Sequence, residues 1–131
     1  MARYSRRRKS AFTFTLPGSF ATITDMSITR VWDDGELLIL AKARMRNDSL
    51  VTAQVDIRVV IDGIAVSPIG PGATIVAGAT ASVADVILQP NNAGAHTIAL
   101  EGQSTVTPDV IVLGASAQLI VIQLQIGRAH V

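Results

Sequence analysis

The chain has 131 residues, enough for a single domain that buries about two thirds of its unfolded surface. Charged residues make up only 16% of the chain, against a usual share of roughly a quarter, and a surface so poor in charge is commonly covered by other copies. The absence of cysteine excludes a disulfide framework, thiolate catalysis and cysteine-ligated zinc. No apolar run approaches the ~18 residues of a membrane-spanning helix.

Residues 1–10 form a basic segment that we predict to be an extended arm. They contain five of the eleven basic residues, whereas the rest of the chain has six basic and ten acidic residues, a balance of −4. The segment that follows is interrupted by Thr, Pro and Gly, which argues against a secretory signal. We expect the arm to dock on a neighbouring subunit or an acidic partner, and its deletion to leave the fold intact. The alternative is a solvated tail held by its own domain. The residues expected to make the partner contact are Arg3, Tyr4, Arg6, Arg7, Arg8, Lys9, Phe12 and Phe14.

Two strands are predicted between the arm and the first acidic turn. Residues 12–16 alternate apolar side chains with threonine and end at a Pro-Gly pair. Their phenylalanines, Phe12 and Phe14, suit either the core or an interface anchor. Residues 23–32 form the second strand, in which Met26 and Ile28 share a face.

The clearest pattern in the chain runs from residue 36 to residue 61 and predicts a long β-hairpin. Both arms alternate apolar and polar residues with a period of two, and the polar segment 47–49 separates them as a turn. A sheet built on such long arms needs a second sheet to cover its apolar face, which indicates a β-sandwich. The predicted core face of the first arm consists of Leu37, Ile39, Ala41, Ala43 and Met45.

The remaining pattern completes an all-β chain. Asp62-Gly63 predicts a type I′ turn into a short strand, and a Pro/Gly loop follows at residues 68–72. Further strands are predicted at 73–88, 96–100 and 115–126. About eight strands without any helical period predict an antiparallel β-sandwich (jelly roll) with an extended basic N-terminal arm. The predicted boundaries are 1–10 for the arm, 11–126 for the jelly-roll domain and 127–131 for a C-terminal tail.

The last strand is apolar on both faces, so we expect it to be covered on both sides. It lies either centrally in a sheet or at an interface between copies of the chain. The predicted oligomer interface combines this strand with the outward row of the first hairpin arm, and consists of Leu38, Leu40, Ile120, Ile122 and Leu124.

No constellation of residues indicates catalysis, a metal or a cofactor. The acidic segment 33–36 lacks the spacing of a calcium loop and predicts a polar turn with Gly35 at positive φ. His96 has no second histidine at metal-ligand spacing, and we expect it to be a hydrogen-bonded strand residue. The glycines of the 68–72 loop lack the helix that follows a phosphate-binding loop. We therefore expect a protein that is not an enzyme.

Several short motifs in the second half resemble a known group. They are Val60–Gly63, the small-residue strand 79–88, the segment from Pro90 through Gly94 to Leu100, and the aliphatic strand Leu119–Leu124. Together, over about residues 20–125, they resemble the trimeric jelly rolls of the tumour-necrosis-factor/C1q type found among structural proteins of tailed phages. The resemblance implies a homotrimer that serves as a capsid decoration (cement) protein or as a fibre head. Its partner would then be the major capsid protein or another virion protein, and its location the capsid surface.

Two other functions remain open from the sequence. A receptor- or glycan-binding head would need an aromatic platform, for which Trp32 and Tyr4 are the only Trp and Tyr. A nucleic-acid-packaging coat protein would place the basic arm on phosphates. The acidic balance of the remaining chain argues against nucleic acid as the partner.

Overall fold

The structure is a computed structural model that describes residues 2–67 and 70–124. The predicted tail at 127–131, the end of the last predicted strand and part of the Pro/Gly loop lie outside these residues. The regular elements of the described residues are β1 Ala2–Lys9, β2 Phe14–Thr15, β3 Ala21–Trp32, β4 Gly35–Asn47, β5 Ala53–Ile61, β6 Ile64–Ala65, β7 Gly72–Ile75, β8 Thr80–Asn91, β9 Gly94–Ser104, β10 Val110–Val112, a 3₁₀ turn at Gly114–Ser116 and β11 Gln118–Leu124.

The strands form two antiparallel sheets. In the six-stranded sheet (sheet A), β4 pairs with β8 on one side and with β11 and β10 on the other, and these pair in turn with β1 and β2. In the five-stranded sheet (sheet B), β9 lies between β3 and β5, and β5 pairs on its far side with β6 and β7. The predicted antiparallel sandwich of the jelly-roll type is confirmed.

The core lies between the two sheets and is filled by aliphatic side chains. The alternate residues of β4, such as Leu37, Ile39 and Met45, are fully buried, as are Val55 and Ile57 of β5. Each such side chain stabilises the fold by about 1.5–3 kcal/mol relative to exposure. The faces predicted from the period-two pattern are therefore confirmed for both strands.

The predicted hairpin between residues 36 and 61 is wrong. β4 and β5 belong to opposite sheets, because β4 pairs with β8 and β11 whereas β5 pairs with β9. Segment 47–49 is a corner between the sheets: the Asn47 amide donates to the carbonyls of Val51 and Ile75, both at 2.8 Å, and the Ser49 hydroxyl donates to Asn47 Oδ1 at 2.6 Å. Alternation reports which face of a strand is buried, but it carries no information about the strand's partner.

Several local predictions can be compared directly with the backbone. Asp62 and Gly63 have φ of 52° and 82°, as a type I′ turn requires, and β6 folds back on β5. Gly35 has the predicted positive φ, at 138°. The single strand predicted at 73–88 is two strands, β7 and β8, which lie in different sheets. With the short strands β2 and β10, the described residues contain eleven strands rather than eight.

The basic N-terminal segment is extended, as predicted, but it is part of sheet A. β1 pairs with β11 from Ala2↔Leu124 to Lys9↔Gln118, with one irregularity near its start. A polar sequence can form this strand because edge pairing uses the backbone, and lysine and arginine are common on edges. The expectation that deleting residues 1–10 leaves the fold intact stays a prediction, and the deletion would remove the strand beside β11.

Candidate assembly surface

The outer face of sheet A carries aliphatic side chains in register across three strands. Leu40 of β4 lies between Val86 of β8 and Ile120 of β11. One step along, Leu38 lies between Leu88 and Ile122 in the same way. Directly opposed residues in antiparallel strands share a face, so these rows form one surface. This surface, the apolar patch, consists of Leu38, Leu40, Val86, Leu88, Ile120, Ile122 and Leu124.

The patch is accessible in the isolated chain. Val86 and Leu88 are 66% and 54% exposed, and the β4 and β11 members are half-buried by one another. Contiguous apolar surface of this kind is uncommon on monomers and marks interaction sites. All five residues predicted as an oligomer interface lie on it.

Strand β8 adds an open sheet edge to the same surface. Among the described residues it pairs only with β4, so the other side of this twelve-residue strand has no partner. An open edge of this length that carries Val86 and Leu88 can pair with a strand of another chain. The patch and the edge together place apolar side chains and unpaired backbone groups on the same side of sheet A.

The predicted arm residues are divided between two faces of β1. Arg7 and Lys9 pair opposite Ile120 and Gln118, on the outer face beside the apolar patch. The alternation of the strand puts Arg6 and Arg8 on the opposite side. All four side chains are exposed, which is compatible with contact to a partner. Arg3 and Tyr4 lie in β1, but their side chains are outside the described set.

The two phenylalanines predicted as anchors differ in exposure. Phe12 is 62% exposed, whereas Phe14 is half-buried and packs against the core. The backbone of Phe12 lies so close to Gly114 that a Cβ at position 114 would come within 2.6 Å of it. Only glycine permits this approach. Phe12 therefore remains available for a partner contact, and Phe14 serves chiefly the core.

The aromatic residue considered for glycan binding is inaccessible. Trp32 is 1% exposed, and the Arg30 guanidinium lies over its ring at 5.1 Å from the centroid. A sugar platform must present an open ring face, so the glycan-binding role suggested for Trp32 is wrong.

The acidic turn before β4 is used for backbone hydrogen bonds. Asp34 Oδ1 accepts from the backbone N–H of Ala93 at 2.6 Å. The side-chain Nδ2 of Asn91 donates to the backbone carbonyl of Asp33 at 2.8 Å. These bonds join the turn to the β8–β9 connection. Within the described residues, no group of three or more His, Cys, Asp or Glu could hold a metal ion.

His96 is a hydrogen-bonded strand residue, as predicted. Its Nδ1 lies 2.6 Å from Asp62 Oδ2 and its Nε2 lies 2.7 Å from the carbonyl oxygen of Asn92. Both partners accept, so the geometry suits the imidazolium with two N–H donors. The Asp62 hydrogen bond, and then the Asn92 carbonyl, raise the pKa of His96, while the His96 hydrogen bond lowers the pKa of Asp62. This contact joins the β5–β6 turn to the β8–β9 turn.

Two members of the patch, Val86 and Leu88, were not predicted as interface residues. Both faces of β8 carry aliphatic residues, since Val83 and Ile87 lie on the face opposite to Val86 and Leu88. The pattern therefore did not show which face of the strand points outward. The pairing with β4 resolves this, because Val86 lies opposite Leu40 and Leu88 opposite Leu38. The signal available in the sequence was that two large aliphatic residues, Val86 and Leu88, alternate on a strand that otherwise contains many small residues.

The chain shares its fold with several solved structures. No family model and no curated protein matches it. The structure of an Eiger TNF from S. frugiperda matches 97% of this chain and 96% of its own, with a TM-score of 0.59 and 8% identity. The T13 viral particle of IBDV matches 93% of this chain with a TM-score of 0.63 and 13% identity, and this chain spans 32% of that one. A CBM36-1 domain of a xylanase from a Trinervitermes trinervoides hindgut metagenome matches 93% of this chain and 98% of its own, with a TM-score of 0.50 and 15% identity.

At these identities the likeness shows the fold alone. The three structures are described as a TNF, a viral particle and a domain of a xylanase, so the fold does not select one function. The part of the jelly-roll resemblance that concerns fold is confirmed. No helix among the described residues has the length and apolar character to cross a membrane.

Proposed function

We propose that this protein is a non-enzymatic structural protein of a virion, which assembles with copies of itself through the apolar patch and decorates the capsid. The observation that carries the proposal is the patch itself, where aliphatic rows of β8, β4 and β11 lie in register on an outer face. Burial of such a surface between copies contributes about 25 cal/mol per Å² of apolar area, and apolar burial is the main driving force of most protein associations.

A homotrimer fits this surface, and it is also the assembly implied by the resemblance of the second half of the chain to trimeric jelly rolls of the tumour-necrosis-factor/C1q type. In a closed ring of three copies, each chain meets the next through two different parts of this face, and closure protects the β8 edge from open-ended pairing. The exposed cations of β1 then lie at the margin of the assembled surface, beside the patch. There they can contact an acidic surface of the capsid protein.

Assembly is tested with two matched substitutions. Val86 and Val31 are the same residue type, are both 66% exposed and lie in β-strands on the outer faces of sheets A and B respectively. Val86→Asp would place a carboxylate without a partner in the interface, and should raise the oligomer dissociation constant by about 100-fold or more. Val31→Asp should leave it unchanged. Light scattering over a concentration series measures both.

A monomeric unmodified protein at micromolar concentration would contradict the assembly. Equal effects of the two aspartates would contradict the assignment of the patch. Decoration is tested separately, by adding the protein to shells of the virus that encodes it and imaging them by electron microscopy. Protein density on the outer surface is expected, and its absence from shells that the oligomer has saturated would reject decoration without affecting the oligomer.

A further inference from the structure

A basic cleft lies beside the apolar patch on the outer face of sheet A. It has a volume of about 490 Å³ and is lined by residues from β1, β4, β8, β11 and the 3₁₀ turn. Its charged lining residues are Arg7, Lys9, Lys42 and Arg44. None of the described residues that line it is acidic.

The pairing of the strands explains why these cations converge. Lys9 of β1 lies opposite Gln118 of β11, which lies opposite Lys42 of β4. With strands about 4.8 Å apart, the backbones at Lys9 and Lys42 are separated by roughly 10 Å. Arg44 follows two residues after Lys42 on the same face, roughly 7 Å along the strand. Arg7 lies two residues before Lys9 on β1, opposite Ile120, and therefore on the other side of this row from Arg44.

The cations of the cleft have no carboxylate partner within the described residues. The ion pairs there are Arg46 with Asp48, Arg58 with Glu101, and His96 with Asp62, none of which involves the cleft. The neutral carboxamide of Gln118 lies beside Arg7, and when its oxygen is oriented toward the guanidinium it accepts from Arg7 Nε at 2.7 Å and from a terminal guanidinium nitrogen. A concave surface lined by one sign of charge concentrates counter-ions.

The cleft is built into the fold rather than formed by mobile side chains alone. Between β10 and β11 the chain leaves the sheet as the 3₁₀ turn, whose position is fixed by Ser116. The Ser116 hydroxyl donates to the carbonyl of Leu113 at 2.6 Å and accepts from the amide of Arg44 at 3.1 Å. This turn forms one wall of the cleft, and β8 forms the opposite wall.

We propose that the basic cleft binds a small multivalent oxyanion, one that carries two or more neighbouring phosphate or sulfate groups. Four cations without a carboxylate partner among the described residues exceed what a single phosphate neutralises, and the volume lies in the range of small-molecule sites. Guanidinium and ammonium groups bind such oxygens by charge-assisted hydrogen bonds. The lining residues belong to this chain, and a variant of the apolar patch separates this site from the proposed assembly.

The test is isothermal titration of the full chain with two probes at low salt. Inorganic tripolyphosphate represents the phosphate source and a trisulfated heparin disaccharide the sulfate source. We expect one site per chain for at least one probe, with affinity that falls as salt is added. Arg44→Gln should weaken binding at least about tenfold, because it removes a charge-assisted contact. Arg46→Gln is the matched control: it lies on the same strand and face, but pairs with Asp48 outside the cleft. It should change affinity less than about twofold.

Each other outcome overturns the proposal. Failure of both probes to bind at millimolar concentration would reject the site, as would equal losses for Arg44→Gln and Arg46→Gln. Tighter binding of an oligonucleotide of matched charge would assign the cleft to nucleic acid instead. Repeating the titration on Val86→Asp separates the two proposals, because Val86 does not line the cleft. Unchanged binding to that variant is expected, and loss would mean that the site forms only between copies.

Discussion

The outer faces of the two sheets differ in how their side chains are satisfied. On sheet B, neighbouring strands present polar pairs to solvent: Thr29 with Thr97 at 2.8 Å, and Arg58 with Glu101 at 2.7 Å. Two further pairs join Thr74 to Gln54 at 2.7 Å and Gln103 to Asp56 at 3.4 Å. A face completed by pairs within its own chain requires no partner.

The central part of the outer face of sheet A, formed by β8, β4 and β11, lacks such polar pairs among the described residues. Its central rows are aliphatic, with Leu40 between Val86 and Ile120, and the adjacent cleft holds cations without carboxylates. On the outer face of sheet B, the exposed Val31 lies opposite the small Ala95, which is ordinary for a solvated surface. In the proposed function, sheet B is therefore the solvated face and sheet A the contact face.

The largest expected effect tests how far sheet A depends on its edge. Deletion of residues 1–10 removes β1 and exposes β11, whose register with β1 runs from Ala2 to Lys9. With each lost hydrogen bond worth about 0.5–1.5 kcal/mol, we expect the free energy of unfolding to fall by at least about 4 kcal/mol. Urea denaturation measures this loss.

A charge-only control separates the strand from its cations. Arg6→Ser with Arg8→Ser keeps the β1 backbone and should cost less than about 1 kcal/mol, since both side chains are exposed. If the deletion is as mild as this control, β1 is an appended arm, and sheet A is complete without it.

An intermediate effect is expected from breaking a pair on sheet B. Arg58→Ala removes the ion pair with Glu101 and the stacking of the guanidinium over Phe20, at 4.1 Å from the ring centroid. Because both members of the ion pair keep some exposure, we expect a loss of about 1 kcal/mol in the free energy of unfolding. The oligomer mass should not change. A change in mass would show that sheet B also takes part in assembly.

The smallest effect is expected from pH at the edge of sheet B, where His96 contacts Asp62. The raised pKa of His96 means that its stabilisation is complete below about pH 6.5 and is lost as pH rises through the folded value. The lowered pKa of Asp62 means that its stabilisation is present above about pH 4 and is lost as pH falls. The contact is therefore strongest between these limits.

The pH dependence is measured from urea midpoints between pH 5 and pH 8. The unmodified chain should lose under about 1 kcal/mol across this range, the magnitude of an exposed ion pair. His96→Gln should remove that part of the slope, and His130 is present in both proteins, so its contribution cancels. An identical slope in the variant would contradict the assignment.

The sequence predicted the faces of the strands better than their partners. Alternation identified Leu37 and Ile57 as core residues because burial on one face has a period of two. It could not show that Asn47 turns the chain into the other sheet, since that depends on long-range contacts such as its bond to the carbonyl of Ile75. The same limitation merged β7 and β8 into one predicted strand.

The candidate surfaces were predictable in part for a related reason. Leu38 and Ile122 belong to long apolar strands, so an outward row was visible in the sequence. The basic cleft combines Arg7, Lys42 and Arg44 with the turn at Ser116, which are distant along the chain. Only the pairing of β1, β11 and β4 brings them together, and no local pattern encodes that pairing.

The central claim is that the outer face of sheet A meets other copies of the chain while the outer face of sheet B meets solvent. Because the chain has no cysteine, Leu88→Cys and Val31→Cys each introduce a single thiol, on sheet A and sheet B respectively. The measurement is the rate of maleimide labelling across a protein concentration series. We expect labelling at position 88 to slow at least about tenfold as the oligomer forms, and labelling at position 31 to stay constant. Equal, concentration-independent rates at both positions would contradict the account.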